Sequence, residues 1–117
     1  MDIKVKRVYE PYDKTDGVRI LVDRLWPRGI KKEDAHIDEW FKEIAPSNEL
    51  RKWYNHEPEK FDAFNKKYQA EINSTKALDE LVDYIKAHKT VTLVFSSKEL
   101  KLNNAVVLKS IIDDRIA

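Results

Sequence analysis

The chain has 117 residues, with 22 lysines and arginines against 21 aspartates and glutamates, so its formal net charge is +1. This length predicts one globular domain over residues 1–117, and three Trp, five Tyr and four Phe supply material for its core. Cysteine is absent, which excludes disulfides, thiolate nucleophiles and zinc–thiolate sites. The near-neutral charge argues against a general polyanion-binding surface.

Several other classes of protein are disfavoured by what the sequence lacks. No apolar run approaches the ~20 residues of a membrane span, and the first residues contain no apolar signal segment. We therefore expect a cytoplasmic protein that does not associate with membranes. His36, His56 and His88 are too scattered to resemble a metal-binding motif, so we expect no metal and no cofactor.

Three segments have the composition of β-strands. Ile3–Tyr9 alternates apolar and charged residues, which predicts a strand near the edge of a sheet. Val18–Val22 and Thr90–Phe95 are β-branched and nearly continuous in apolar character, as is typical of strands buried on both faces. Because helices separate these two strands, we expect them to be parallel and adjacent or nearly so, with their carboxyl ends on one edge.

The remaining segments have mainly helical patterns. Lys31–Ala35 fits a short helical turn, whereas residues 36–44 fit either a helix or a short strand near Ile37–Trp40. Ser47 is a suitable N-cap for a short helix, and Pro58 is suited to the start of the next. Two further helices are predicted from apolar residues at helical spacing, namely Leu78, Leu81, Val82 and Ile85, then Ala105, Leu108, Ile111 and Ile112. The predicted fold is α/β, with a small, mainly parallel sheet of three or four strands flanked by helices.

The candidate site lies where the two buried strands end. One strand runs into residues 23–29, and the other into Ser96-Ser97-Lys98 and then Asn103 at a helix start. In open α/β sheets, ligands bind beyond the carboxyl ends of the strands, where helix N-termini also point. Arg24, Arg28, Lys98 and the serine hydroxyls are the groups that hold phosphates or carboxylates. Residues 16–32 contain five cations, Arg19 among them, against two aspartates.

Each candidate in this first loop also has a structural interpretation. Asp23 is the acid of the loop and could orient an arginine or act as a base, with Arg24, Arg28 or Arg51 as its expected partner. The alternative is that Asp23 and Arg24 only fix the loop. Trp26 could stack on a planar ligand or, with Pro27, form a lid over the core.

A second cluster surrounds the only histidine that is a candidate acid or base. His56 follows Arg51 and Trp53, and imidazole is the side chain most often used for general acid or base catalysis. The structural interpretation, which the sequence favours, is that His56 ends the short helix before Pro58.

The same segments carry a family likeness. Over essentially its whole length the chain resembles the short members of the DUF488 family, the YeaO-like proteins. The most specific segment of this likeness is Asp23-Arg24-Leu25-Trp26-Pro27-Arg28-Gly29. Matched position by position, the family motif falls on Asp23, Arg24, Trp26, Pro27, Arg28, Gly29, Ser47, Arg51, Trp53, Lys98 and Asn103.

This resemblance implies a fold and a site rather than a reaction, since the family is a domain of unknown function. It implies a compact α/β domain of the bacterial or archaeal cytoplasm. Longer relatives carry a Cys-His-Arg-like motif near the start of the last helix, where this chain reads Asn103-Asn104-Ala105. The resemblance therefore brings no thiol or metal chemistry to this chain.

Two functions of different classes are consistent with these residues. The first is a binding site for a small anion of phosphate or nucleotide type, in an enzyme or a ligand-binding domain, with Asp23 and His56 as candidate catalytic groups. The alternative is a nucleic-acid-associated module that uses the same basic loop and Trp26. A pocket needs a few convergent cations and a nucleic-acid track needs many, so the net charge of +1 favours the pocket. The sequence defines neither the reaction, if any, nor the oligomeric state.

Overall fold

A parallel sheet of four strands forms the centre of the computed structural model, which describes residues 2–117. The strands are β1 (Asp2–Arg7), β2 (Val18–Leu21), β3 (Glu39–Trp40) and β4 (Thr90–Phe95). Their order is β1-β4-β2-β3, and every neighbouring pair is parallel. The predicted α/β class is thus confirmed, as is the adjacency of β2 and β4.

The two edge strands differ in how well the sequence predicted them. β1 lies at one edge, as its alternating pattern indicated. β3 lies at the other edge and spans only two residues, so the strand alternative left open for residues 36–44 is the correct one. A 3-10 helix, Lys42–Ile44, follows it directly, which explains why the segment also has apolar residues at helical spacing.

Five α-helices connect and cover the strands in residues 2–117. They are α1 (Lys32–Ala35), α2 (Asn48–Tyr54), α3 (Phe61–Ile72), α4 (Lys76–Lys86) and α5 (Asn104–Ile116). Ser47 caps α2 as predicted, because its hydroxyl accepts the Leu50 N–H at 3.1 Å. Pro58 begins a 3-10 helix, Pro58–Lys60, that leads into α3. No helix in this part of the chain has the length and apolar character needed to cross a membrane.

The two faces of the sheet are covered differently. Ile20, Val91 and Leu93 belong to the main core, which α2 to α5 complete from one side. The other face carries a smaller cluster around Leu21 and Val94. The residues of this second cluster outside β2 and β4 come from the loops, α1 and β3 rather than from a long helix, and they include Val8, Trp26, Ile30, Ala35, Ile37 and Trp40.

Arg19 places a charge inside this second face. Its side chain is 1% exposed, and its guanidinium donates to Asp16 Oδ2 at 2.6 Å and to the Ala35 and His36 carbonyl oxygens at 3.0 and 3.1 Å. Lys6 Nζ lies 3.2 Å from the same Asp16 carboxylate. Arg19 is therefore a structural cation and not part of the basic surface to which the sequence count assigned it.

The buried Asp16–Arg19 pair predicts an acid-dependent loss of stability. Desolvation raises the pKa of Asp16, but the Asp13 N–H, Lys6 and Arg19 together outweigh it and hold that pKa below its ordinary value. A depressed folded-state pKa contributes stability above the unfolded value of about 3.9, and this contribution is lost as the pH falls through the folded value. We expect Asp16→Asn to cost about 3 kcal/mol at pH 7, because it leaves Arg19 buried without an anion.

Urea denaturation of both proteins between pH 7 and pH 3 is the measurement. The deficit of Asp16→Asn should begin to shrink below about pH 4, where Asp16 of the unfolded wild type takes up a proton that the folded protein disfavours. Asp83→Asn, at an exposed position of α4, serves as the control and should change little. A constant deficit across this pH range would contradict the assignment of the stabilisation to the Asp16 charge.

The chain also passes close to the start of β4 at Gly17, and this close approach gives a second prediction. Gly17 has φ 66°, and a Cβ atom there would overlap the carbonyl oxygen of Thr90. Gly29 has φ 77° but open space around it. Gly29→Ala should therefore lose only the ~1 kcal/mol of left-handed strain, whereas Gly17→Ala adds a steric overlap and should lose about 3 kcal/mol. Equal losses in the two variants, measured by urea denaturation, would show that the close approach to β4 relaxes freely.

Candidate functional site

The connections after β2 and β4 diverge at the carboxyl edge of the sheet. The chain leaves β2 toward β3 at one edge, whereas α5, which follows β4, packs against β1 at the other. Such a topological switch point is where open α/β sheets bind their ligands. The two loops that the sequence singled out do meet at this edge, because a hydrogen-bonded cluster joins them.

Asp23 is the centre of that cluster. Its Oδ2 accepts hydrogen bonds from the backbone N–H and the hydroxyl of Ser96, both at 2.8 Å. Its Oδ1 accepts from the Asn104 side-chain amide at 3.2 Å, and this amide also donates to the Val22 carbonyl at 3.2 Å. The carboxylate therefore ties the end of β2 to the end of β4 and to the first turn of α5.

The partner expected for Asp23 was wrong. Within residues 2–117 it forms no ion pair with Arg24, Arg28 or Arg51, and neutral N–H and O–H donors hold it instead. The physical reason is that the loop after β4 places the N–H and O–H groups of Ser96 beside the end of β2. These neutral donors form the hydrogen bonds with Asp23 that a guanidinium was expected to form. Both carboxylate oxygens are thereby occupied inside the chain.

Arg24 and Trp26 also direct their polar atoms to the chain itself. Arg24 donates to the Ala45 carbonyl at 3.1 Å and to the Pro46 carbonyl at 3.5 Å, immediately before α2. Trp26 donates its indole N–H to the Ile30 carbonyl at 2.7 Å and packs edge-on against Trp40, with ring centroids 5.5 Å apart. The position of Trp26 therefore agrees with its interpretation as a lid over the core.

Arg28 and Lys98, in contrast, leave their side chains exposed at this edge. Neither side chain forms a hydrogen bond or an ion pair within residues 2–117. The Tyr9 hydroxyl donates to the Arg28 carbonyl at 2.8 Å, and the Arg7 guanidinium lies 4.5 Å from the centre of the Tyr9 ring. Arg7 Nε in turn donates to the Ser97 carbonyl, next to Lys98, at 2.9 Å. We call Arg7, Arg28 and Lys98 the cationic rim.

Ser97 and Asn103 shape the loop that carries Lys98. The Ser97 hydroxyl accepts the Glu99 N–H at 3.1 Å. Asn103 is buried, and its Oδ1 caps α5 by accepting the Val106 N–H at 2.9 Å while its amide donates to the Glu99 carbonyl at 2.7 Å. Their contacts therefore hold the loop and the start of α5 in place.

Arg51 and His56 are not drawn into the rim. Arg51 is exposed on α2 and donates to Asn48 Oδ1 at 3.1 Å. His56 is exposed just past the end of α2, with φ 55°, and its ring centre lies 6.4 Å from that of Tyr54. Neither forms a hydrogen bond or ion pair with a rim residue in the part of the chain that the structure describes.

Near this edge, the described residues favour neither proton transfer by the Tyr68 phenol nor the binding of a metal ion. The Tyr68 hydroxyl donates to the Ile44 carbonyl at 2.6 Å, and burial, followed by the nearby Asp23 charge, raises its pKa far above the ordinary value, so it stays a neutral phenol. Among residues 2–117, no group of three or more His, Asp or Glu side chains is placed to hold a metal ion.

Sequence reasoning missed Arg7 at this edge, and it took the serine hydroxyls for anion-binding groups, whereas Ser96 donates to Asp23. The signal for Arg7 was available, because it ends a strand that is parallel to β4 and so must lie at the same edge. Ser96 and Asn104 could not be chosen over their neighbours Ser97 and Asn103 without the register of the chain, because each pair has identical side chains.

The Asp23 cluster predicts a structural cost for removing one charge. Asp23→Asn keeps the shape but replaces one acceptor oxygen with a donor that faces other donors. We expect the free energy of unfolding to fall by about 2 kcal/mol, as for hydrogen bonds to charged groups. Urea denaturation measures this fall, and Asp114→Asn, at an exposed position of α5, is the matched control. An unchanged midpoint would show that the three hydrogen bonds contribute nothing net.

Comparisons with known proteins agree with the family resemblance that the segment from Asp23 to Gly29 carries. A family model described as "Inactive DUF488-N3 subclade" matches residues 2–117. The uncharacterized protein YeaO of Escherichia coli (strain K12) is 46% identical over 108 residues, which cover 92% of this chain and 94% of YeaO. The uncharacterized protein Rv3073c of Mycobacterium tuberculosis is 43% identical over 113 residues, covering 97% of this chain and 95% of the relative.

No solved structure matches the chain. The family assignment therefore depends on the sequence, where both the family model and the relatives extend over nearly the whole length. The chain belongs to the DUF488 family, in the subclade described as inactive.

Proposed function

We propose that this chain binds a small anion of phosphate or nucleotide type at the carboxyl edge of its sheet and does not transform it. The observation that carries the proposal is the cationic rim. Arg28 and Lys98 have exposed side chains without partners in residues 2–117, and they extend from the loops on either side of the β2–β4 switch point. Guanidinium and ammonium groups at such an edge are suited to oxyanions.

Binding without turnover is favoured by the position of the candidate catalytic groups. Asp23 already accepts three hydrogen bonds from Ser96 and Asn104 and shares both oxygens with the chain, so its carboxylate serves to hold the loops together. His56 lies exposed past α2 and, within residues 2–117, forms no hydrogen bond or ion pair with this cluster. The description of the matching subclade as inactive agrees with this arrangement.

The nucleic-acid alternative loses its aromatic contact. Trp26 was its candidate stacking residue, but the indole packs against Trp40 and its N–H is held by the Ile30 carbonyl. A rim of three cations also matches one phosphate group better than a strand, which presents many. The salt dependence of binding separates the two functions, because a nucleic-acid track gives a much steeper slope than a single anion.

Loss of a rim cation should weaken binding without unfolding the protein. A thermal-shift screen with inorganic phosphate, nucleotides and phosphorylated sugars should raise the melting temperature for at least one probe. For that probe, Arg28→Ala and Lys98→Ala should each weaken binding about tenfold by calorimetry, the equivalent of ~1.4 kcal/mol. Both side chains are exposed, so the unliganded melting temperatures should stay close to that of the wild type.

Lys89→Ala is the control, since Lys89 is exposed but precedes β4 and so lies at the opposite, amino edge. It should bind like the wild type. If no anionic probe stabilises the wild-type protein, or if Lys89→Ala weakens binding as much as the rim variants, the proposed site is wrong. Tight binding of oligonucleotides with a steep salt slope would favour the alternative instead.

A further inference from the structure

Arg7 is the best-oriented cation of the rim. Its Nε donates to the Ser97 carbonyl at 2.9 Å and to the Ser96 carbonyl at 3.3 Å, so two carbonyls from the β4–α5 loop hold one edge of the guanidinium. The face of the guanidinium lies over the Tyr9 ring, 4.5 Å from its centre. A long, flexible side chain is thereby fixed before any ligand arrives, which lowers the entropy cost of binding.

The opposite edge of this guanidinium has no partner. Within residues 2–117, neither Nη1 nor Nη2 forms a hydrogen bond or an ion pair, although the side chain is half-buried. The two groups form a planar fork, and such a fork matches two oxygens of one phosphate or carboxylate. An ammonium group at the same place would supply charge but not this geometry.

Tyr9 connects this fork to the second rim arginine. Its hydroxyl donates to the Arg28 carbonyl at 2.8 Å, and the residue is 41% exposed. One exposed tyrosine therefore supports the Arg7 guanidinium with its face and holds the backbone of Arg28 with its hydroxyl. Because Ser97 binds Arg7 and precedes Lys98, the backbones that carry all three rim cations are tied together around Arg7.

The charges at this edge set the kind of anion that the rim can hold. Within residues 7–10, 23–28 and 98–101, the carboxylates are Glu10, which accepts the Arg7 N–H at 2.7 Å, Asp23 and Glu99. Because Arg24 and Lys101 join the rim there, five cations stand against these three acids, and this modest excess favours one compact group of high charge over a series of single charges. A terminal phosphate carries nearly two negative charges at neutral pH, roughly −1.5 to −2, and offers three equivalent oxygens.

We propose that the Arg7 fork anchors the bound anion and that the rim as a whole selects terminal phosphate groups, as in a nucleoside monophosphate, over phosphodiesters. The proposal rests on the function proposed above and names its ligand class. A phosphodiester has only two free oxygens and a single charge, so it can engage the fork but not the fork, Arg28 and Lys98 together. The selection therefore comes from the third oxygen and the second charge.

The experiment compares adenosine monophosphate with its methyl phosphodiester by calorimetry at fixed salt. The wild type should bind the monophosphate at least tenfold more tightly. Arg7→Lys keeps the charge and removes the fork, so it should lose tenfold or more in affinity for the monophosphate and should also weaken binding of the phosphodiester. Lys89→Gln, at the amino edge, should behave like the wild type. Melting curves check that each variant is folded.

Tyr9→Leu gives an independent test if Arg7→Lys does not fold. It removes the ring beneath the guanidinium at an exposed position, and it should weaken binding of the monophosphate severalfold. Monophosphate binding that is unchanged in Arg7→Lys, or in Tyr9→Leu if Arg7→Lys is unfolded, overturns the role of Arg7 while the proposed function stands. Equal binding of the two ligands by the wild type overturns the ligand class. If the wild type binds neither these ligands nor inorganic phosphate, the proposed function fails with it.

Discussion

The buried guanidinium of Arg19 is the constraint on which the second face of the sheet depends. An isolated charge in an apolar interior is very costly, so each of its donors must meet an acceptor. Asp16 supplies one acceptor from the crossover between β1 and β2, and the Ala35 and His36 carbonyls supply two from the end of α1. One side chain on a central strand thus fixes both segments that cover this face, where a long helix would ordinarily lie.

This constraint extends to the edge that carries the candidate site. The segment between β2 and α1 must leave the end of β2 and return over the second face to reach Arg19. Trp26 anchors its middle through the Ile30 carbonyl and Trp40, and Asp23 anchors its beginning to Ser96 and Asn104. Because both anchors lie inside, Arg28 is left facing solvent between them and the start of α1, as is Lys31 at the end of the segment. Arg28 is therefore exposed because the hydrogen bonds of Asp23 and Trp26 hold the rest of the segment against the chain.

The sequence predicted the fold better than the partners of individual polar groups. Apolar runs at Val18–Val22 and Thr90–Phe95 indicated two adjacent buried strands, because burial on both faces leaves a visible pattern. The two-residue strand β3 has no such pattern and remained an alternative. Arg19 could not be distinguished from the exposed arginines, since nothing in a run such as Val18-Arg19-Ile20 shows whether a carboxylate will lie beneath it.

For the candidate site, residue type predicted which loops meet at the carboxyl edge but not the contacts that each polar group makes. Arg24 and Arg28 are chemically identical and four residues apart, yet the first donates to the Ala45 and Pro46 carbonyls and the second faces solvent. A buried carbonyl without a donor costs about 1–3 kcal/mol, so the nearest guanidinium is recruited to satisfy it. Only cationic N–H groups that do not already donate hydrogen bonds to the chain's own carbonyls can bind a ligand without first breaking a contact. A basic motif therefore overstates the binding surface, and here Arg7 at the end of β1 offers a better-placed donor than the motif's own Arg24.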